Sequence, residues 1–347
     1  MQTQSTSQNA FLEPLVLIAP FFLWGTAMVA MKGVIPHSTP LFMAGFRLVP
    51  AGILILAAAA IFRLPQPKTW QAWLWIGIFA LLDGLMFQGF LAAGLMRMGA
   101  GLGSTLIDAQ PIAIALLSSW LFGEAIGWWG FLGLAIGVIG IGCVGLPDAW
   151  IINALTHFSF SGLVSGGNLF ESGEGLMLCA SLSMALGTIS IRYVSRYADP
   201  VVATGWHMIL GGLPLFAMSA LWEQNQWVNI DGGGWLALGY STVFGSAIAY
   251  ALFFHIASRG NLTSFTSLTF LTPIFALIFS NIFLSEILSP LEWTGVSLTL
   301  VSIYLINQRD QLKEWWQNLR DRNLLPASIA KDPQPIPVKA IDSNATR

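Results

Sequence analysis

Charge is what this sequence has least of. Only 9% of its 347 residues are Asp, Glu, Lys or Arg, where a soluble domain carries about 25%. The net charge of -2 leaves no electrostatic footprint for nucleic acid. Cysteine is nearly absent. Cys143 and Cys179 sit in apolar runs, which excludes a disulfide framework. Histidine is equally sparse. His37, His157, His207 and His255 fall in four separate segments and form no metal-ligand spacing. No glycine-rich phosphate loop with a following lysine appears, so ATP is not the direct energy source and no cofactor is expected. No Gly-x-Ser-x-Gly elbow stands in order with an Asp and a His. The first residues, Gln2 to Asn9, lack the basic start and cleavage site of a secretory signal. The first apolar run therefore reads as a retained span.

What is present is apolar length. Hydrophobic residues make up 55% of the chain, and the mean hydropathy is +0.69. A membrane span needs about 20 mostly apolar residues. Ten stretches qualify: 15–33, 41–62, 71–93, 101–122, 128–146, 174–194, 201–222, 234–257, 263–283 and 290–307. None alternates like a barrel strand. Backbone groups in lipid must be satisfied within the segment, so the fold class is an all-α polytopic membrane protein. The surrounding partner is then a lipid bilayer.

The chain repeats itself once. Arg97, Leu106, Pro111-Ile112, Ser118, Glu124 and Gly133 return 162 positions later as Arg259, Leu268, Pro273-Ile274, Ser280, Glu286 and Gly295. Trp73, Gly77 and Gly25-Thr26 recur at that offset as Trp235, Gly239 and Gly187-Thr188. Between them the offset is 160: Pro40, Gly45, Phe46, Arg47 and Gly52 face Pro200, Gly205, Trp206, His207 and Gly212. One unit used twice constrains the whole architecture. Each copy holds five spans, an odd number, so the copies face opposite ways across the bilayer.

Basic residues set the orientation. With the N-terminus inside, the cytoplasmic side collects Arg63, Lys68, Arg192, Arg196, Arg259 and seven basic residues after position 308, and the outer side keeps Lys32 and Arg97. The expected organisation is a cytoplasmic tail at 1–14, a first repeat at 15–146, an external linker at 147–173, a second repeat at 174–307 and a cytoplasmic tail at 308–347. In that last segment Leu312, Trp315, Trp316 and Leu319 share one helical stripe, as in an interfacial helix. Beyond Pro326 the composition predicts disorder. The location implied is a bacterial-type inner membrane, and the sequence is compatible with a homo-oligomer.

Pro111, Gly123-Glu124 and Gly133, with Pro273, Ser285-Glu286 and Gly295, make the chain resemble the EamA branch of the drug/metabolite transporter superfamily. Gly25, Gly187 and Arg47 add to the resemblance, which covers residues 15–307; Ser285, where glycine is usual, departs from it. It implies two five-helix repeats and export of small metabolites, amino acids among them.

Charged residues inside spans are costly and are read as functional. Here they are Arg47, Asp83 and Asp108. The repeat ranks them. Positions equal in both halves serve the scaffold; positions that differ can serve a substrate without the protein's symmetry. Asp83 faces Gly245, Asp108 faces Phe270 and Arg47 faces His207. Arg47 can clamp a carboxylate, and Asp83 a cationic group or a proton. Arg47 is also the expected ion partner of Asp83, which would make flux follow the substrate gradient and not a proton gradient. Trp24, Trp206 and His207 complete the candidate substrate site. Gly25, Pro111, Glu124, Gly187, Pro273 and Glu286 are read as structural, the glutamates as capping groups. The leading expectation is a secondary transporter of small polar metabolites. Two alternatives stand beside it: an exchanger of phosphorylated or nucleotide-linked metabolites, and a membrane-embedded enzyme using Asp83 and Asp108 as an acid–base pair.

Overall fold

The computed structural model describes residues 5–95, 97, 106–146, 148, 151–152, 172–284 and 289–324. Most of the 147–173 linker, the tail beyond Leu324, and the predicted cap Glu286 with Ser285 lie outside them. Among the described residues all regular structure is helical.

In chain order, α1 is Ser5–Lys32 and α2 is Pro40–Ile61. Helix α3 runs through Trp70–Phe79, a π-helical stretch Ala80–Phe87 and Gln88–Leu95. Helix α4 is Leu106–Phe122, interrupted by a turn at Ala109, and α5 is Gly127–Gly145. The second half repeats this with α6 at Gly173–Val194 and α7 at Pro200–Trp222. Helix α8 joins Gly232–Tyr240, a π stretch Ser241–Ile248 and Ala249–Ala257. Helix α9 joins Leu262–Ser267, a 3₁₀ turn Leu268–Phe270 and Leu271–Leu284. Helix α10 is Pro290–Asn307, and α11 is Arg309–Leu324. Eight of these helices are long and apolar enough to cross a membrane, and Leu106–Phe122 is a shorter apolar ninth. Helix α10, with 18 residues, coincides with the predicted tenth span, but its composition is less apolar. Helix α1 starts earlier than expected, at Ser5, although its membrane-compatible part begins at Pro14.

Local chemistry explains the boundaries. Pro40, Pro200 and Pro290 open their helices, where a missing N–H is no loss. Thr69, Ser172, Asp199, Asp231 and Asn261 accept from free amides at helix starts. Ser289 and Glu292 form a reciprocal capping box. Gly123 ends α4 at φ +68°, a left-handed conformation that glycine adopts without strain. The repeated prolines act alike. Pro111 follows the turn at Ala109, and Pro273 follows the 3₁₀ turn at Leu268–Phe270, so both copies of the fourth span are broken at the same place.

The halves interlock by exchanging equivalent contacts. The two most extensive helix pairs are α5 with α10 and α2 with α7. In the second pair, a Cβ at Gly45 would come within 2.9 Å of the Phe216 ring, and one at Gly205 within 2.8 Å of Leu56. Likewise Gly52 abuts Ile209 at 2.7 Å, and Gly212 abuts Val49 at 2.8 Å. Each contact is its partner shifted by the repeat offset, and the helices run antiparallel. Helices α5 and α10 obey the same rule: Gly133 meets Ile306 at 2.7 Å and Gly295 meets Val144 at 2.9 Å. Small residues let these backbones approach closely. An antiparallel exchange of this kind is what an inverted repeat requires. The central core, with Phe21, Phe79, Met208, Phe253 and Phe254 fully buried, draws on both halves.

Candidate functional site

Both copies of the third span carry their π-helical stretch at equivalent positions, Ala80–Phe87 in α3 and Ser241–Ile248 in α8. Such insertions displace backbone and side chains from the regular helical register and gather at functional sites. The first one holds Asp83. Here α3 crosses α7 almost backbone to backbone: a Cβ at Gly84 would lie 2.9 Å from Gly211 Cα and 3.0 Å from the His207 carbonyl. This crossing brings Asp83 Oδ2 to 3.1 Å from His207 Nε2, with both side chains buried. An ionised carboxylate makes Nε2–H the donor. The Phe79 ring stacks on the imidazole at 3.9 Å, and Phe254 meets it edge-on at 5.6 Å. Asp83 Oδ1 and His207 Nδ1 are left buried without a hydrogen-bond partner. Gly187 makes room for this pair. A Cβ there would stand 2.6 Å from Asp83 Cβ.

The expected Asp83–Arg47 pair is therefore not formed; His207 holds the carboxylate instead. The repeat states why. Arg47 and His207 are equivalent, and so are Gly245 and Asp83. His207 meets a carboxylate on the facing π segment. On the Arg47 side the residue equivalent to Asp83 is Gly245, which has no side chain, and the Arg47 Nε–H reaches the neighbouring Ser246 hydroxyl at a loose 3.4 Å.

Between the two half-sites lie Gln88 and Tyr250, themselves 162 residues apart. Gln88 Nε2–H donates to the Tyr250 hydroxyl at 3.2 Å. Equivalent residues that touch each other must lie on the pseudo-two-fold axis. Tyr250 stands within electrostatic reach of both Asp83 and Arg47. Trp24 packs edge-on against the Tyr250 ring at 5.2 Å, and its indole N–H is buried without a partner. The structure thus gathers Arg47, Asp83, His207 and Trp24 around Gln88 and Tyr250. Tyr250 is not among the residues that stood out in the sequence. Its mismatch with Gln88 at the repeat offset was the signal that would have found it.

Trp206 belongs elsewhere. Its indole N–H donates to Gln66 Oε1 at 3.0 Å and its ring packs on Trp73 at 5.1 Å, at the loop end of α7. One residue of helix rotation turns it away from His207. Asp108 is buried at 8% exposure, with no hydrogen-bond or ion partner among the described residues. Its neighbour Ile107, not Asp108 itself, packs against the group containing Phe87 and Met184 that Trp24 also touches. No contact joins it to Asp83 as an acid–base pair would need.

Gly25 and Glu124 each join parts of the two halves. Gly25 seats α1 on α9, where a Cβ would come within 2.7 Å of Phe275 Cβ. Glu124 caps the other half: Oε1 accepts from Leu262 N at 3.0 Å, and Oε2 from Thr263 N at 3.1 Å and Thr263 Oγ1 at 2.8 Å. Arg192, 2.9 Å away, adds an ion pair and also donates to the Gly260 carbonyl. Burial alone would raise the Glu124 carboxyl. The hydrogen bonds from Leu262 and Thr263 and the Arg192 charge outweigh it and hold the carboxyl below its ordinary value.

The sequence profile of the EamA-like transporter family matches residues 12–146 and 171–308. The uncharacterized transporter sll0355 of Synechocystis is 62% identical over 90% of this chain and 95% of its own length. The WAT1-related protein At3g02690, chloroplastic, of Arabidopsis thaliana is 47% identical over 87% of this chain and 71% of its own. A probable amino-acid metabolite efflux pump of Salmonella typhimurium is 25% identical over 86% of this chain and 94% of its own.

Proposed function

The chain belongs to the EamA-like transporter family, and from that premise we propose that it exports small zwitterionic metabolites of the amino-acid class by alternating access. The repeats at 15–146 and 174–307 rock about the central cluster, and the 147–173 linker joins them on the outer face. The observation that carries this reading is the unequal pair of half-sites. Among the described residues no carboxylate pairs with Arg47, which leaves this cation suited to a substrate carboxylate. Across the axis, Asp83 keeps one oxygen unpartnered beside His207, suited to an ammonium group. Gln88 and Tyr250 lie between, with Trp24 packed on Tyr250. A molecule carrying both charges satisfies both half-sites at once. The similar protein of Salmonella typhimurium, by name a probable amino-acid metabolite efflux pump, supports the amino-acid class and the outward direction.

Both termini lie in the cytoplasm in this reading, with ten spans in an inner membrane of bacterial type. Reporter fusions after Leu64 and at the C-terminus are expected to read cytoplasm, and fusions within 160–167 to read outside. The function itself is tested in proteoliposomes loaded with labelled amino acids. Efflux of chemically unchanged label, absent from protein-free vesicles and competed by other zwitterions, is expected. Saturable efflux of phosphorylated metabolites alone would overturn the substrate class.

A further inference from the structure

The C-terminal helix α11 covers a second feature, remote from the central cluster in function. Where α10 ends and α11 begins, Arg309 is folded inward, only 6% exposed. Its Nη1–H donates to Ser264 Oγ at 2.9 Å and to the Ile306 carbonyl at 3.1 Å. Its aliphatic stem lies over Gly130, where a Cβ would come within 3.3 Å of Arg309 Cδ. Its Nε is buried without a partner. Among the described residues, no carboxylate lies within ion-pair distance of this guanidinium. A buried cation without an anion is unfavourable, because burial removes water's stabilisation and nothing replaces it.

Arg309 lines a cavity of about 560 Å³ between the α4–α5 turn and α11. Lys313 lines it one turn further along α11, and it too has no ion pair among the described residues. Among the described residues, Asp310 is the one acidic side chain on the wall. The apolar part of the wall is tryptophan: Trp128, Trp129 and Trp316, with Trp129 and Trp316 packed edge-on at 6.3 Å. Trp128 and Trp316 remain 76% and 57% exposed. Exposed tryptophans at the end of membrane spans mark the headgroup level of a bilayer. Two cations with tryptophan at that level match a phosphate that carries acyl chains.

We propose that this cavity holds the phosphodiester headgroup of an anionic phospholipid. The phosphate lies between Arg309 and Lys313, and the glycerol and upper acyl chain rest on the tryptophans. The lipid then ties α11 to the α4–α5 turn, the turn whose Glu124 caps α9 of the other half.

The test is thermal unfolding of the full-length protein in detergent, with phosphatidylglycerol, phosphatidylcholine of the same acyl chains, or inorganic phosphate added. Phosphatidylglycerol at about a hundredfold excess over its Kd is expected to raise Tm by about 5 °C. Phosphatidylcholine and millimolar phosphate are expected to leave Tm within 1 °C or so, on the same mass-action footing. Because Arg309 also anchors Ser264, Arg309→Gln is expected to lower the starting Tm as well as abolish the rise. Lys313→Gln has no internal bond to lose, and is expected to keep the starting Tm and halve the rise or better. An equal rise with phosphatidylcholine, an equal rise with phosphate, no rise at all, or an undiminished rise in both variants would each overturn the proposal.

Discussion

His207 and Arg47 occupy the same place in the two halves of this protein, yet one is paired and the other is not. His207 meets Asp83 at 3.1 Å. On the Arg47 side Asp83 is replaced by Gly245, and Arg47 makes a loose contact to Ser246. The frame around the two residues is shared: the π stretches, the antiparallel crossing of α2 and α7, and the glycines that let those helices approach. The Phe79 and Phe254 rings on His207 are not, their equivalents being Ser241 and Ala92. The asymmetry that matters near the axis lies in a few side chains, Asp83 against Gly245, Arg47 against His207 and Gln88 against Tyr250. Symmetry thus builds the frame, and broken symmetry supplies a site with a distinct cationic end and a carboxylate end.

The largest effect is expected where the halves agree. A Cβ at Gly52 would press on the Gly205 carbonyl at 2.6 Å, so the backbone itself must move. Gly52→Leu is expected to lose most of the folded protein, because overpacking a tight contact costs about 1–3 kcal/mol or more. Gly77 matches Gly239 in the repeat but has nothing within 4 Å. Gly77→Leu is expected to be tolerated. The measurement is the monodisperse fraction by size-exclusion chromatography, and equal losses would break the link between repeat matching and contact.

The next effect falls where the halves differ. Asp83→Asn keeps the shape and removes the charge. Transport is expected to drop about 10- to 100-fold, the range for losing a charged hydrogen bond, with near-normal folded yield. Arg47→Gln is expected to fall as far. Trp206→Phe, at the loop end of α7, is expected to stay within about twofold, since surface substitutions of that kind cost roughly 0.5 kcal/mol or less. Initial rates in proteoliposomes decide this. A Trp206 variant as defective as Asp83→Asn would mean that the cluster has been drawn in the wrong place.

The smallest effect concerns the cap that crosses between halves. Glu124→Gln is expected to lower Tm by a few degrees at neutral pH, consistent with about 1 kcal/mol for a lost cap. Glu124 is held below its ordinary value of 4.5. Its stabilisation is therefore complete above that value and is lost as pH falls through the lower folded value. The Tm gap between wild type and Glu124→Gln should be constant near neutrality and close on acidification below about 4.5. A gap that widened in acid would contradict the cap as described.

Much of the frame was legible in the residues. Apolar lengths marked the spans, and one offset tied Pro111 to Pro273 and Gly133 to Gly295. The site was less so. Arg47, Asp83, His207 and Trp24 stood out by charge or ring chemistry; Asp83 meets His207, while Arg47 and Trp24 approach Tyr250. Their pairing was hidden, because it depends on which helix of one half faces which helix of the other. The π stretches leave no clear mark in the local sequence, since Leu82-Asp83-Gly84 reads as ordinary helix. Trp206 misled because it neighbours His207 in the chain, although adjacent residues on a helix point about 100° apart.

The central claim is that Arg47 takes the substrate's carboxylate and Asp83 its ammonium group. Competition against labelled amino acid efflux tests it most directly. The competitors are an amino acid, its amide without the carboxylate charge, and its N-acetyl form without the ammonium charge. For the wild type, both altered forms should compete poorly. In Arg47→Gln the amide should compete as well as the parent while the N-acetyl form stays poor. In Asp83→Asn that order should reverse. Two variants that weaken all three competitors in the same proportion would contradict the assignment of the two ends.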